Sequence, residues 1–497
     1  MKQPQCVPRF PVLGVPPLLT FVFVLGACGG TSEPGAENAK VEEVLRGLRP
    51  AMAIVGRPPL RWTLAERMDA LHVPGVSIAV LDSGRIVWAR GFGVKEAGRS
   101  DSVTTETLFQ AQSISKPVAA TAMLRLVDEG RVTLDANVND YLRSWKVPDN
   151  RFTLGEKVTL RRLASHSAGL TVGGFLGYLV DDSVPTMRQI LDGVRPANNP
   201  PIRVDTIPGT LSRYSGGGLT VLQQLLIDVT NESFPNLMRR LVLAPARMTR
   251  SGYEQPLPES RRRDAVSGHD PNGVVIKGKW PVHPEMAAAG LWTTPTDLAR
   301  WAIEISDSWA GREGTLISTE TARQMLTMQK PPFGLGPQLS GTGDALRFMH
   351  SGSIQGFKAE LVMFAAAGKG AVVMTNGDGG ADLIDEVFQS IASAYQWPGY
   401  RQTERVIATI EPAVLEGLVG VYSAPGPAGG HVTIEVSREN DRLFFVVPGF
   451  LPKGEIYPLS TDSFFTAKGS SVVFTRDQLG RVVKLNLGGQ VEATKRQ

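Results

Sequence analysis

The sequence predicts an α+β fold: an antiparallel sheet flanked by helices, a helical lobe beside it, and a small all-β domain at the C-terminal end. Three observations carry this. Strand-like runs bracket a long middle stretch, that middle stretch repeats its apolar residues at helical spacing, and short alternating strands separated by turns take over after about Pro398.

Taken in order, the chain opens on a leader. Lys2 and Arg9 are followed by the apolar run Phe10 to Ala27, which closes on Leu25-Gly26-Ala27-Cys28. A basic start, an apolar stretch and small residues before the cut describe a secretory signal over 1–27. The ending resembles a bacterial lipobox, which implies cleavage before Cys28 and lipidation of its thiol. Cys6 would leave with the leader, so the mature chain would hold no disulfide and rest on its core. Small and polar residues follow Cys28, and 28–58 reads as the lipidated cysteine and a tether.

Val76–Val80 and Ile86–Ala89 flank Asp82-Ser83-Gly84-Arg85, a hairpin signal. A helix is expected from Ser113 to the Leu126–Gly130 region, with others over Leu219–Val229, Asp297–Ile305 and Asp382–Tyr395. Strands return at Phe357–Phe364 and Gly370–Thr375. These elements make one domain over 59–397, followed by a linker over 398–410. The strands Val432–Val436, Arg442–Val447, Val472–Thr475 and Val482–Leu487 then predict a sandwich or barrel over 411–497, with nothing catalytic in it.

The bulk numbers narrow the function. Of 497 residues 42% are hydrophobic and 20% charged, the balance of an ordinary globular chain. Net charge is +4, with two of the positive charges, Lys2 and Arg9, in the leader; with no long basic run, nucleic acid is not an expected partner. His72, His166, His269, His283 and His431 show no metal-ligand spacing, so no metal is expected. No Gly-x-Ser-x-Gly elbow or phosphate-binding loop occurs.

The chemistry concentrates in three short stretches. Ser113-Ile114-Ser115-Lys116 puts a lysine one helical turn after a serine, within reach of its hydroxyl. A serine becomes a strong nucleophile once a neighbouring base takes its proton. Arg213-Tyr214-Ser215-Gly216-Gly217-Gly218 offers a tyrosine in a glycine-rich loop before a helix; beside a lysine ammonium its pKa is expected to fall, which would suit it to shuttle a proton. His350-Ser351-Gly352-Ser353 lies ahead of a strand and can line a cleft with backbone donors.

In this order and spacing the three stretches resemble the serine β-lactamase and penicillin-recognising superfamily, above all the class C β-lactamase-related branch with its family VIII esterases and D-amino-acid-specific peptidases. Val73–Val80, Val158–Leu170 and Ala287–Leu298 are similar to that branch as well. The resemblance covers roughly 60–397 and implies a β-lactamase/transpeptidase-like fold working through an acyl-enzyme without a cofactor. It makes Ser113 the acylated nucleophile, Lys116 its base and Tyr214 the tyrosine of Tyr-x-Asn. His350 falls where Lys-Thr-Gly has its lysine, and Gly352 on that motif's glycine. The implied oxyanion hole is the backbone N–H of Ser113 with that of Ser353.

Two departures shape the expectation. Gly216 replaces the asparagine of Tyr-x-Asn, and His350 is a mostly neutral imidazole where a lysine would attract a carboxylate. Both weaken the case for an efficient β-lactamase and leave ester hydrolysis intact. The expected function is therefore a lipid-anchored serine hydrolase of the bacterial cell envelope, facing periplasm or exterior and acting on small esters or amides. A D-amino-acid-specific peptidase, a class C-type β-lactamase and a non-catalytic penicillin- or peptidoglycan-binding protein stand as alternatives. The intact Ser113, Lys116 and Tyr214 set argues against the last.

Overall fold

The computed structural model describes residues 34–312, 316–425, 431–448, 451–489 and 491–496. The lipidation expected at Cys28 and the leader before it lie outside the described residues. Among those described, no helix is long and apolar enough to cross a membrane.

A six-stranded antiparallel sheet organises the larger domain. Its strands are β1 (Gly75–Asp82), β2 (Arg85–Gly93), β3 (Gln338–Ser340), β4 (Arg347–Ile354), β5 (Phe357–Phe364) and β6 (Lys369–Thr375), in the spatial order β2-β1-β6-β5-β4-β3. The predicted hairpin is β1–β2, and it joins the later strands through β6, with Val76 opposite Thr375. Side chains alternate across the sheet as the pleat requires. Ala79, Leu81, Leu361, Met363, Val372 and Met374 face the helical lobe. Ile78, Val80, Val362, Phe364, Ala371 and Val373 face the opposite layer.

That opposite layer holds α1 (Pro34–Leu45) and the closing helix Gly380–Ala394. The tether expected over 28–58 is therefore structured from Pro34 onward. Val41, Val44 and Leu48 are fully buried against Val387 and Ile391, and the Ser390 hydroxyl donates to the Val44 carbonyl at 2.8 Å. The apolar spacing of this stretch is helical, but the small and polar residues before it masked the signal. Met52–Ile54 then pairs in parallel with Thr403–Arg405, inside the stretch expected to be linker.

On the lobe side lie α2 (Ser115–Asp128), α3 (Gly216–Thr230), the short α4 (Met286–Ala289) and α5 (Pro295–Trp309). Ser215 caps α3, its hydroxyl accepting from the Gly218 N–H at 2.9 Å, and Thr294 caps α5 through the Asp297 N–H. The C-terminal segment is a barrel rather than a sandwich. Eight antiparallel strands from Gly420–Pro425 to Val491–Lys495 close on themselves, and Leu415 and Leu418 of the preceding helix Pro412–Leu418 pack into its core.

Candidate active site

The site is built on a turn. Phe109–Gln110 pairs with Trp292–Thr293, and the Ala111 N–H donates to the Leu291 carbonyl at 2.9 Å. The chain then makes a 3₁₀ turn over Gln112–Ile114 before entering α2. Gln112 has a φ of 49°, a left-handed conformation that an L side chain adopts at a cost of roughly 1–3 kcal/mol. Its buried amide offsets that cost: Gln112 Nε2 donates to Gln110 Oε1 at 2.7 Å and lies 3.4 Å from His283 Nε2. Ser113, the next residue, is half-buried with its hydroxyl in the cleft.

Lys116 is 2% exposed. Its Nζ donates to Ser113 Oγ at 2.9 Å and to the Ala288 carbonyl of α4 at 2.8 Å. Burial, with no carboxylate to compensate, lowers its pKa to about 7. Near neutral pH a large share of the amine is therefore unprotonated beside the serine it would activate.

Tyr214 corrects one expectation. The Lys116 nitrogen lies 4.8 Å from the Tyr214 ring centroid, yet burial pushes the phenol up to about 12, opposed only by its contact with the Ser113 hydroxyl. The charge of the lysine is visible in the sequence, and the water lost by both groups is not. Of the two groups it is Lys116, not Tyr214, whose pKa is lowered toward neutrality.

Histidines and a phenylalanine hold that ring. His166 packs against Tyr214 with centroids 4.5 Å apart and against Phe333 at 4.6 Å. His166 Nδ1 accepts from the Ser215 N–H at 3.2 Å, and burial with nearby Lys116 keeps its imidazole neutral. His350, 6.1 Å from Tyr214 between centroids, is 3% exposed, and the same two causes lower its pKa to about 3. Its Nδ1–H donates to the Ser351 carbonyl at 2.7 Å. The neutral ring thus keeps its proton on Nδ1, and Nε2 is a buried, unpartnered acceptor. His283 is likewise held at about 3.

β4 closes the site from the sheet side. β3 pairs with β4 only as far as Met349, so His350 to Ile354 form a free strand edge beside the Gln112–Ile114 turn. A Cβ at Gly352 would come within 2.1 Å of the Ala111 carbonyl oxygen, so only glycine lets the strand approach the turn this closely. Ser353 follows with its side chain exposed.

Ser113, Lys116, Tyr214, His350 and Gly352, more than two hundred residues apart at the extremes, thus meet in one cleft, with Ser353 at its edge. Gln112, His283, Phe333 and the packing role of His166 were not singled out from sequence. The positive φ of Gln112 and the contacts of the others have no local signature; only the similarity of Val158–Leu170 to the branch drew notice to the segment that holds His166.

The chain is 25% identical over 389 residues to Penicillin-binding protein 4 of Amycolatopsis lactamdurans, covering 73% of this chain and 97% of that one. Its fold is similar to the octameric penicillin-binding protein homologue from Pyrococcus abyssi, with a TM-score of 0.60, 22% identity and coverage of 87% and 98%. It is also similar to the D-alanine carboxypeptidase AmpC from Burkholderia cenocepacia, with a TM-score of 0.56, 18% identity and coverage of 72% and 99%. A family model described as Beta-lactamase matches residues 60–396, a stretch that contains the sheet, the lobe and every cleft residue named above, and on that match the chain belongs to the Beta-lactamase family.

Proposed function

We propose that this β-lactamase-fold protein is a serine hydrolase that cleaves small esters or amides through an acyl-enzyme on Ser113. The observation that carries the reading is the Lys116 amine, 2.9 Å from Ser113 Oγ with a pKa lowered to about 7. Lys116 takes the hydroxyl proton as Ser113 Oγ attacks the substrate carbonyl. The resulting oxyanion points at the backbone N–H groups of Ser113 and Ser353, donors of a kind worth about 3–4 kcal/mol. As it collapses, the leaving group takes a proton from the Tyr214 phenol, which regains one from the Lys116 ammonium. Water then repeats the sequence, giving its proton to Lys116, and the acid product leaves with Ser113 restored.

The acceptor nitrogen of His350 supports esters over substrates that present a carboxylate at this point, since a neutral lone pair repels an anion and welcomes a donor. The same reading puts the protein in the cell envelope, held by a lipid on Cys28. Protein starting at residue 29 should hydrolyse a short-chain nitrophenyl ester faster than a chromogenic cephalosporin, and Ser113→Ala should lose both activities. Equal rates in wild type and Ser113→Ala would overturn the mechanism. A stable penicilloyl adduct without ester turnover would instead favour a binding protein.

A further inference from the structure

The residue at 216 stands two positions after Tyr214, and Ser215 between them is extended, with φ −140° and ψ 109°. In extended backbone such neighbours point the same way, so a side chain at 216 would stand beside Tyr214. Position 216 is glycine, and its place is taken. A Cβ there would lie 3.1 Å and 3.3 Å from two carbons of the Phe175 ring and 3.2 Å from the Gly173 carbonyl.

The loop that brings Phe175 in is tied down by the helix it covers. The Gly216 and Gly217 N–H groups of α3 donate to the Gly173 and Val172 carbonyls, both at 2.9 Å. The Ser215 hydroxyl donates to the Thr171 carbonyl at 2.9 Å. At Gly217 a Cβ would come within 2.7 Å of that same Thr171 oxygen. Val172 sits at φ 65°, a strained conformation for a β-branched residue. The glycines of α3 are thus what allows the 171–175 loop to lie against the helix start, and the loop sets the Phe175 ring beside position 216, two residues from Tyr214.

We infer that Phe175 is a specificity-determining residue, whose ring makes this place an apolar seat for the acyl group, so that the substrates are esters of unsubstituted alkyl or aryl acids rather than acylamino ones. No side-chain amide stands at 216 to pair with a substrate amide, and an amide buried without a partner against a phenyl ring is disfavoured. The inference rests on the hydrolase reading above.

The test is the ratio of kcat/KM for p-nitrophenyl hexanoate to that for the acetate. Phe175→Ala should lower this ratio about tenfold, and Phe175→Leu, which keeps apolar volume, by less than about threefold. Gly216→Ala presses on the ring without truncating it and should lower the ratio as well, giving a reading even if Phe175→Ala folds poorly. In Phe175→Ala/Gly216→Asn, an N-acylglycyl nitrophenyl ester should gain on the hexanoate by several-fold. An unchanged ratio in Phe175→Ala and Gly216→Ala, with turnover still dependent on Ser113, would overturn the inference and leave the hydrolase reading standing. Turnover that persists in Ser113→Ala would remove both.

Discussion

The cleft and the C-terminal barrel treat buried polar groups in opposite ways. In the barrel the buried side chains are almost all apolar, Tyr422 and Thr466 being the exceptions, and the Tyr422 hydroxyl donates to the Leu418 carbonyl at 2.6 Å. Among the described residues no barrel side chain is left buried with an unpartnered nitrogen or oxygen. The cleft keeps His166 Nε2, His283 Nδ1 and His350 Nε2 unpartnered, and beside them a buried lysine without a carboxylate. Buried polar atoms in native proteins are nearly always paired, so a cluster of exceptions marks where structure gives way to chemistry. The barrel is packed for stability; the cleft holds the buried polar groups the proposed chemistry would use.

The strongest way to sharpen that contrast is Ser113→Ala. It should lower ester kcat/KM by about 10⁴-fold or more while thermal unfolding barely moves. The mirror experiment is Phe464→Ala in the barrel core, where the ring is fully buried. It should cost about 3–5 kcal/mol, seen as faster hydrogen exchange across 420–495, with ester kcat/KM within about twofold of wild type. Activity lost in step with barrel stability would break the separation.

Gly352→Ala comes next. Its methyl would meet the Ala111 carbonyl, and the displaced turn should lower kcat about 10²-fold. Full activity would mean that β4 and the turn are not coupled. Tuning the Lys116 charge gives a smaller and more telling effect. Its folded pKa of about 7 lies below the usual lysine value of 10.5, so protonation favours the unfolded chain. The stability deficit is complete below pH 7 and disappears as pH rises to 10.5. Lys116→Met should therefore be inactive, and its melting temperature relative to wild type should be higher at pH 6 than at pH 10. In wild type, kcat/KM should rise through an apparent pKa near 7, the point where the base loses its proton. A profile flat from pH 5.5 to 8.5 would assign the base elsewhere.

How much of this was legible depended on distance along the chain. Ser113 and Lys116 are one turn apart, and their spacing alone brought them together. Tyr214 and His350 could be linked to them only through the resemblance, because no local pattern joins 113 to 350. Phe175 and Gln112 were silent: one acts through a loop folded onto glycines 41 residues away, the other through a backbone angle no composition reveals. The direction of the Tyr214 shift was misread because charge is visible in a sequence and burial is not. Helix 34–45 was missed because its partner helix lies near residue 390, while the strands after Pro398, built on short-range hairpins, were largely legible.

The register of β1 against β6 carries a consequence for how the chain comes into being. Val76 pairs with Thr375, about 300 residues later, and the strand next to the Gln112–Ile114 turn begins only at Arg347. Such long-range pairings are slow to form and cannot begin before their second member exists. A nascent or truncated chain ending before Lys369 leaves β1 without its inner neighbour and the sheet open down the middle. The hydroxyl at 113 then has no strand beside it, and the cleft proposed as the reactive centre is assembled only once almost the whole domain has been made.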